Sequence, residues 1–146
     1  TSTITLHRVL RTKPERVYRA FLDASAMSKW LPPHGFTGQV QKMDAHVGGG
    51  WHMSFTNFGN GQVHSFGGEY LALVPGSKLV YTSSFDDASL PGQMVTTVLL
   101  TPVLVGTDIH VTQAGIPAVI PPEACYLGWQ ESLTLLAQLV EADIPG

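Results

Sequence analysis

The sequence predicts an α+β fold in which a curved antiparallel β-sheet wraps around one long C-terminal α-helix, with two short helices after the first strand. Three observations predict it. Residues 36–113 fall into short β-rich stretches divided by turn residues, no helical segment interrupts them, and the C-terminal part carries one apolar stripe at helical spacing. A single helix covers only one face of so wide a sheet, so the sheet has to curl around it.

The elements follow in order. Between Ile4 and Leu10, apolar Ile4, Leu6 and either Val9 or Leu10 alternate with polar Thr5 and His7, the pattern of a half-buried strand. Thr12-Lys13-Pro14-Glu15 then has capping-box spacing with a proline in the first turn, so a helix starts there. Val17, Tyr18, Phe21 and Leu22 share one face of it, while Glu15, Arg16 and Arg19 fall largely elsewhere. Asp23 or Ser25 caps a second helix, Ala26 to Leu31, which Pro32-Pro33 ends.

Breaks at Gly48-Gly49-Gly50, Asn57 to Gly61, Pro75-Gly76, Asp86 to Gly92 and Gly106 divide the next region into five or six strands. These run over about 37–44, 50–57, 63–74, 78–86, 93–103 and 106–113, and their short connections make a meander. Gly50, Gly67 and Gly68 are where strand kinks can supply curvature. Pro121-Pro122-Glu123 opens a helix to about Ala142, with Trp129, Leu133, Leu136 and Val140 recurring on its buried face. Leu127, Leu135 and Leu139 widen the apolar arc. A curved sheet gripping one helix leaves space that side chains need not fill, so a cavity is expected between them.

Composition narrows the function classes. A length of 146 residues suits one domain spanning 1–146, and 44% apolar against 13% charged residues favours a packed globule with a sparsely charged surface. Eight Lys plus Arg, scattered against eleven Asp plus Glu, exclude nucleic acid as a partner. No apolar run is long enough to span a bilayer, so no membrane partner is expected. The lone Cys125 cannot form an internal disulfide and no signal-peptide order opens the chain, which points to the cytoplasm.

Several short segments carry a family likeness. They are Pro14-Glu15-Arg16-Val17-Tyr18-Arg19-Ala20-Phe21, Trp30, and Asp44-Ala45-His46-Val47-Gly48-Gly49-Gly50-Trp51. Further marks are Gly68-Glu69-Tyr70, Pro75-Gly76-Ser77-Lys78-Leu79-Val80-Tyr81-Thr82, Gly106-Thr107 and Gly128-Trp129-Gln130-Glu131-Ser132-Leu133. In that order and spacing, nearly end to end, the chain resembles the homologues of the activator of heat-shock-protein-90 ATPase. That family lies within the START-like, birch-pollen-allergen-like (SRPBCC) superfamily. The resemblance implies the helix-grip fold with a cavity between sheet and helix, and it supplies no universal catalytic motif. Two positions depart from the pattern: His46 stands where relatives usually carry Arg, and Cys125-Tyr126 where many carry a histidine before Gly-Trp.

Trp51, Met53 and Phe55 alternate with His52, Ser54 and Thr56, so the larger set points inward and is the first candidate for cavity lining. Trp30, Phe36, Tyr81, Val98, Leu100 and Trp129 join it, with Leu133 and Leu136 on the helix stripe; ordinary core is the competing reading for each. Gln113 and His64 are either inward polar groups that orient a ligand or plain surface strand residues. Ile116-Pro117-Ala118-Val119-Ile120 is more apolar than a surface connection needs. It is expected to form the cavity rim or, with exposed leucines of the last helix, a homodimer contact.

His46, His52 and His64 have neither the helical i, i+4 spacing nor the Cys/His clustering of a zinc site, so no metal and no cofactor are expected. There is no Gly-x-Ser-x-Gly elbow, and Cys125 reads as a small buried hydrophobe, with thiol activation at the helix start as the alternative. Glu69 acts as a base only if it points into the apolar cavity; Glu131 and Asp143 read as exposed. The leading expectation is a binding protein for a small apolar molecule. An enzyme of the cyclase, dehydratase or hydrolase kind in the same cavity comes second, and a chaperone ATPase regulator, implied by the family name alone, third.

Overall fold

Turns this short allow only an antiparallel return of the chain, and the computed structural model, which describes residues 1–146, shows that return repeated along the sheet. The elements are β1 (Ser2–Leu10), α1 (Pro14–Phe21), α2 (Ala24–Trp30), β2 (Phe36–Met43), β3 (Gly50–Asn57), β4 (Val63–Val74), β5 (Lys78–Phe85), β6 (Met94–Val103), β7 (Gly106–Ile116) and α3 (Pro122–Val140). The seven strands are ordered β1-β7-β6-β5-β4-β3-β2, so the meander of β2 to β7 ends beside the N-terminal strand. This is the expected α+β helix-grip arrangement. No helix is long and apolar enough to cross a membrane.

Trp129, Leu133, Leu136, Ala137 and Val140 form the buried stripe of α3, whereas Leu127 is exposed. The C-terminal end of α3 is tied to the start of the chain. Glu141 accepts a hydrogen bond from the Arg11 amide (2.8 Å), and Arg16 Nη2 donates to the Ala142 carbonyl (2.9 Å). Asp23 caps α2 by accepting from the Ala26 amide (2.9 Å), and the helix begins at Ala24, two residues before the predicted start.

Two local expectations are corrected. The capping box at Thr12 and Glu15 is not made: Lys13 is the cap of α1 and gives no side-chain bond, so the predicted motif is one residue out of phase. Thr12 is instead anchored to β7, its carbonyl accepting from the Thr107 hydroxyl (2.7 Å). The second correction concerns 116–120. β7 continues to Ile116, which pairs with Ser2 and is fully buried, and Ile120 also packs on the core, while Val119 stays exposed. The segment's inward side chains serve the core rather than the pocket described below.

Close strand approach explains one glycine in β4. Gly68 lies opposite Trp51, and a Cβ there would strike the Thr82 main-chain carbonyl; the neighbouring Glu69 amide donates to the Thr82 hydroxyl (3.0 Å). Gly68→Ala is therefore expected to cost about 1–3 kcal/mol, the range for overpacking. At Gly50 the nearest atom is the flexible Lys42 Nζ, 3.4 Å away, and Gly50→Ala should stay within about 0.5 kcal/mol. Urea denaturation of both variants checks this, and equal shifts would reject the close-approach argument.

Candidate functional site

A pocket of about 280 Å³ lies between the inner face of the sheet and the N-terminal half of α3. Strand alternation builds its walls. Trp51 and Phe55 come from one face of β3, Tyr81, Ser83 and Phe85 from one face of β5, and Met94 and Thr96 from β6. The opposite wall is α3, where Cys125, Gly128 and Ser132 recur at helical spacing. These small side chains leave the space open. Leu133, next to Ser132, and then Leu136 and Val140 on the following turns are buried in solid core.

The aromatic rings on the sheet side meet edge to face. Phe55 and Phe66 are 4.8 Å apart at 81°, Trp51 and Phe66 5.8 Å apart at 78°, and Trp51 and Tyr81 5.8 Å apart at 89°. Such contacts hold the rings rigid with respect to one another. Leu31 and Pro33 complete the wall from the connection after α2. That connection is held to α3 by Glu131, which accepts from the His34 amide (3.2 Å), and by the Ser132 hydroxyl donating to the Leu31 carbonyl.

Polar groups on the wall are few and mostly engaged with one another. Trp129 Nε1 donates to Gln113 Oε1 (3.3 Å), and Gln113 Nε2 donates to Thr96 Oγ1 (3.5 Å). Burial pushes the Tyr81 phenol far above its ordinary range, a Thr96 hydrogen bond offsetting this only in part, so Tyr81 stays a protonated donor. Tyr70, deeper beside it, is pushed up to about 12 by burial and by the Asp44 charge. The Cys125 thiol is also raised by burial, the opposite of the activation a helix start can give, so it remains a thiol. Trp51 Nε1 stands apart: it is buried and has no hydrogen-bond partner. The wall carries no carboxylate, ammonium or guanidinium; His64, edge-on to Phe36, is its one imidazole.

Of the residues singled out in the sequence, Phe36, Trp51, Phe55, Tyr81, Gln113 and Trp129 are on this wall. Trp30, Met53, Val98, Leu100, Ile116, Leu133 and Leu136 are not: they are buried in the core. Val98 and Leu100 share the inner face of β6 with Met94 and Thr96, but lie further along the strand, buried in the core. Glu69 is exposed on β4, away from the pocket. Sequence reasoning missed Leu31, Pro33, Phe66, Met94 and Thr96, and also Ser83 and Phe85, which simple alternation from Tyr81 reaches; on α3 it read Cys125 as a small buried hydrophobe and did not connect it with Gly128 and Ser132.

Known proteins give a consistent picture. A sequence profile of the family described as activator of Hsp90 ATPase homolog 1-like protein matches residues 11–141. Protein CV1439 from Chromobacterium violaceum is 60% identical, with a TM-score of 0.95, over 97% of this chain and 98% of that one. Protein MLL2253 from Mesorhizobium loti shares the fold at 24% identity, with a TM-score of 0.77, over 98% of this chain and 100% of that one. So does an AHSA1-like protein from Aeromonas hydrophila at 18% identity, with a TM-score of 0.78, over 96% and 92%. No curated protein matches the chain.

Proposed function

The chain belongs to the activator of Hsp90 ATPase homolog 1-like family, and from that footing we propose that its pocket binds a compact, uncharged, ring-containing molecule bearing at least one hydrogen-bond acceptor. The observation that carries the reading is an aromatic wall without carboxylate, ammonium or guanidinium groups, one of whose residues, Trp51, holds a buried donor with no partner, Nε1. A volume of about 280 Å³ is near the lower end for small-molecule sites, roughly 300–1,000 Å³. That favours a fused or linked ring system over a long-chain lipid. A charged ligand would lose its hydration without gaining a counter-ion, which is costly. Trp51 Nε1 is shielded from solvent, so an acceptor oxygen would meet it after a small turn of the indole, and that contact would satisfy a donor that is otherwise left unpaired.

Binding is favoured over turnover because the wall lacks Asp, Glu and Lys, its phenol and thiol are both held protonated, and its one imidazole, His64, is exposed with no carboxylate bonded to orient it. The single cysteine, held as a thiol, suits a reducing compartment, and a cytoplasmic address is part of the same reading. Native mass spectrometry and calorimetry against ring ketones, their parent hydrocarbons and matching carboxylates test it. Neutral ketones should bind best. Saturable binding of carboxylates alone, or of nothing in the panel, would overturn it.

Trp51→Phe separates the donor from the ring. It should weaken the ketones about 3–10-fold, the worth of one hydrogen bond, and leave the parent hydrocarbons within about twofold. Stability without ligand should fall only through the lost indole packing, by about 1–2 kcal/mol, since the lost N–H has no partner in the folded chain. Equal losses for ketone and hydrocarbon would place the acceptor contact elsewhere.

A further inference from the structure

On the outer face of the sheet, away from the pocket, the pairing of β1 with β7 brings together three side chains that could bind a metal. His7 and His110 are direct cross-strand partners, and Asp108 lies two residues before His110, hence on the same face. Asp108 Oδ1 is 3.6 Å from His7 Nδ1, Asp108 Oδ2 is 3.2 Å from His110 Nε2, and the three ligand atoms all lie within 4.8 Å of one another. Ligand atoms around a four-coordinate zinc ion, with bonds of about 2.0–2.2 Å, are about 3–3.5 Å apart, so only small movements separate these groups from coordination.

The carboxylate is the unusual member. Asp108 Oδ1 is shielded from solvent and accepts no hydrogen bond, and no Lys or Arg pairs with Asp108. Its cross-strand neighbours on this face are Val9 on β1 and Thr101 on β6, and Leu99 lies beside His110. A desolvated anionic oxygen in such a setting is costly unless a cation or donor meets it. The two imidazoles stack with centroids 5.0 Å apart and planes 13° apart, so their lone pairs lie in separate, nearly parallel planes. Convergence on one ion needs one ring to turn about its Cβ–Cγ bond, and both side chains, 66% and 46% exposed, have room to do so.

We propose that His7, Asp108 and His110 form a binding site for a borderline divalent ion of the zinc, cobalt or nickel class. Two imidazoles and one carboxylate suit those ions better than magnesium or calcium, which prefer an all-oxygen shell. Solvent completes the shell on the open side. The ion would also clamp the N-terminal strand β1 to β7.

The test is calorimetric titration of the untagged chain with Zn²⁺, repeated with Co²⁺ while following its d–d absorption. One ion per chain is expected, with affinity falling at least tenfold in each of His7→Gln, His110→Gln and Asp108→Asn, since each removes a direct ligand and even residues that only orient a ligand cost about 10–100-fold. The melting temperature should rise with Zn²⁺ in the wild type and in His52→Gln, but not in the double variant His7→Gln, His110→Gln. His52 is the control because it bonds Asp86 (2.8 Å) on another part of the sheet. The glutamine substitutions are at exposed positions, so circular dichroism should show them folded. No saturable binding by the wild type, or equal binding by the double variant, would overturn the proposal.

Discussion

Replacing Trp30 by alanine is expected to destabilise the fold by about 3–5 kcal/mol, the range for truncating a buried aromatic side chain. Trp30 is the last residue of α2 and has no exposed surface; its ring meets Phe21 edge to face at 4.7 Å. Its indole also closes the preceding helix. Nε1 donates to the Ala20 carbonyl (2.9 Å), one of the acceptors that the end of α1 leaves without a helical partner. Truncation therefore leaves a cavity and an unsatisfied buried carbonyl at once, two costs that add at a single site. Trp30→Phe keeps most of the packing and loses the bond, so it should cost less, about 1–3 kcal/mol. Urea denaturation of the two variants gives the comparison. A change below about 1 kcal/mol for Trp30→Ala would mean that α2 is not docked as described.

Trp30 also shows how far the sequence carries. Its position in a short amphipathic helix ended by two prolines predicts burial, and burial is found. What periodicity does not say is against which surface a side chain is buried, and the expected cavity lining placed Trp30, Val98 and Leu133 on a wall they do not form. Whether a stretch of the space between sheet and α3 is open or solid depends on side-chain volumes on both sides. On α3 the volumes are legible after the fact: Cys125, Gly128 and Ser132 face the pocket, and Leu133, Leu136 and Val140 face the core. The strand boundaries were legible because Gly, Pro and Asn turns mark them. The end of β7 was not, because Ile116 gains its strand partner from Ser2, more than a hundred residues away. The same long-range register hides the cluster at His7, Asp108 and His110. Only the Asp-x-His step is local, and no spacing along the chain brings His7 to it.

Trp129→Ala is the second large effect expected, about 3 kcal/mol, at the lower end of the range for buried aromatics. The residue is 8% exposed and stands where pocket and core meet on α3, so one side of its ring packs on protein and the other faces open space. Fewer packing contacts are therefore lost than for an indole enclosed on all sides. Loss of Nε1 adds to the cost, because Gln113 Oε1 takes its hydrogen bond from it and would be left partly buried without that donor. Trp129→Phe isolates this part and should cost about 0.5–1.5 kcal/mol. Gln130→Ala, on the exposed side of the same turn, should change stability by no more than about 0.5 kcal/mol. Ligand binding gives a second readout, since truncating Trp129 enlarges the pocket. Ring systems one ring larger than the best wild-type ligand should gain relative to it, while the acceptor preference set by Trp51 Nε1 stays. If Trp129→Ala and Gln130→Ala shift the urea midpoint equally, the inward face of α3 is wrongly assigned. If Trp129→Ala destabilises the fold but leaves the size preference unchanged, the ligand does not lie against α3.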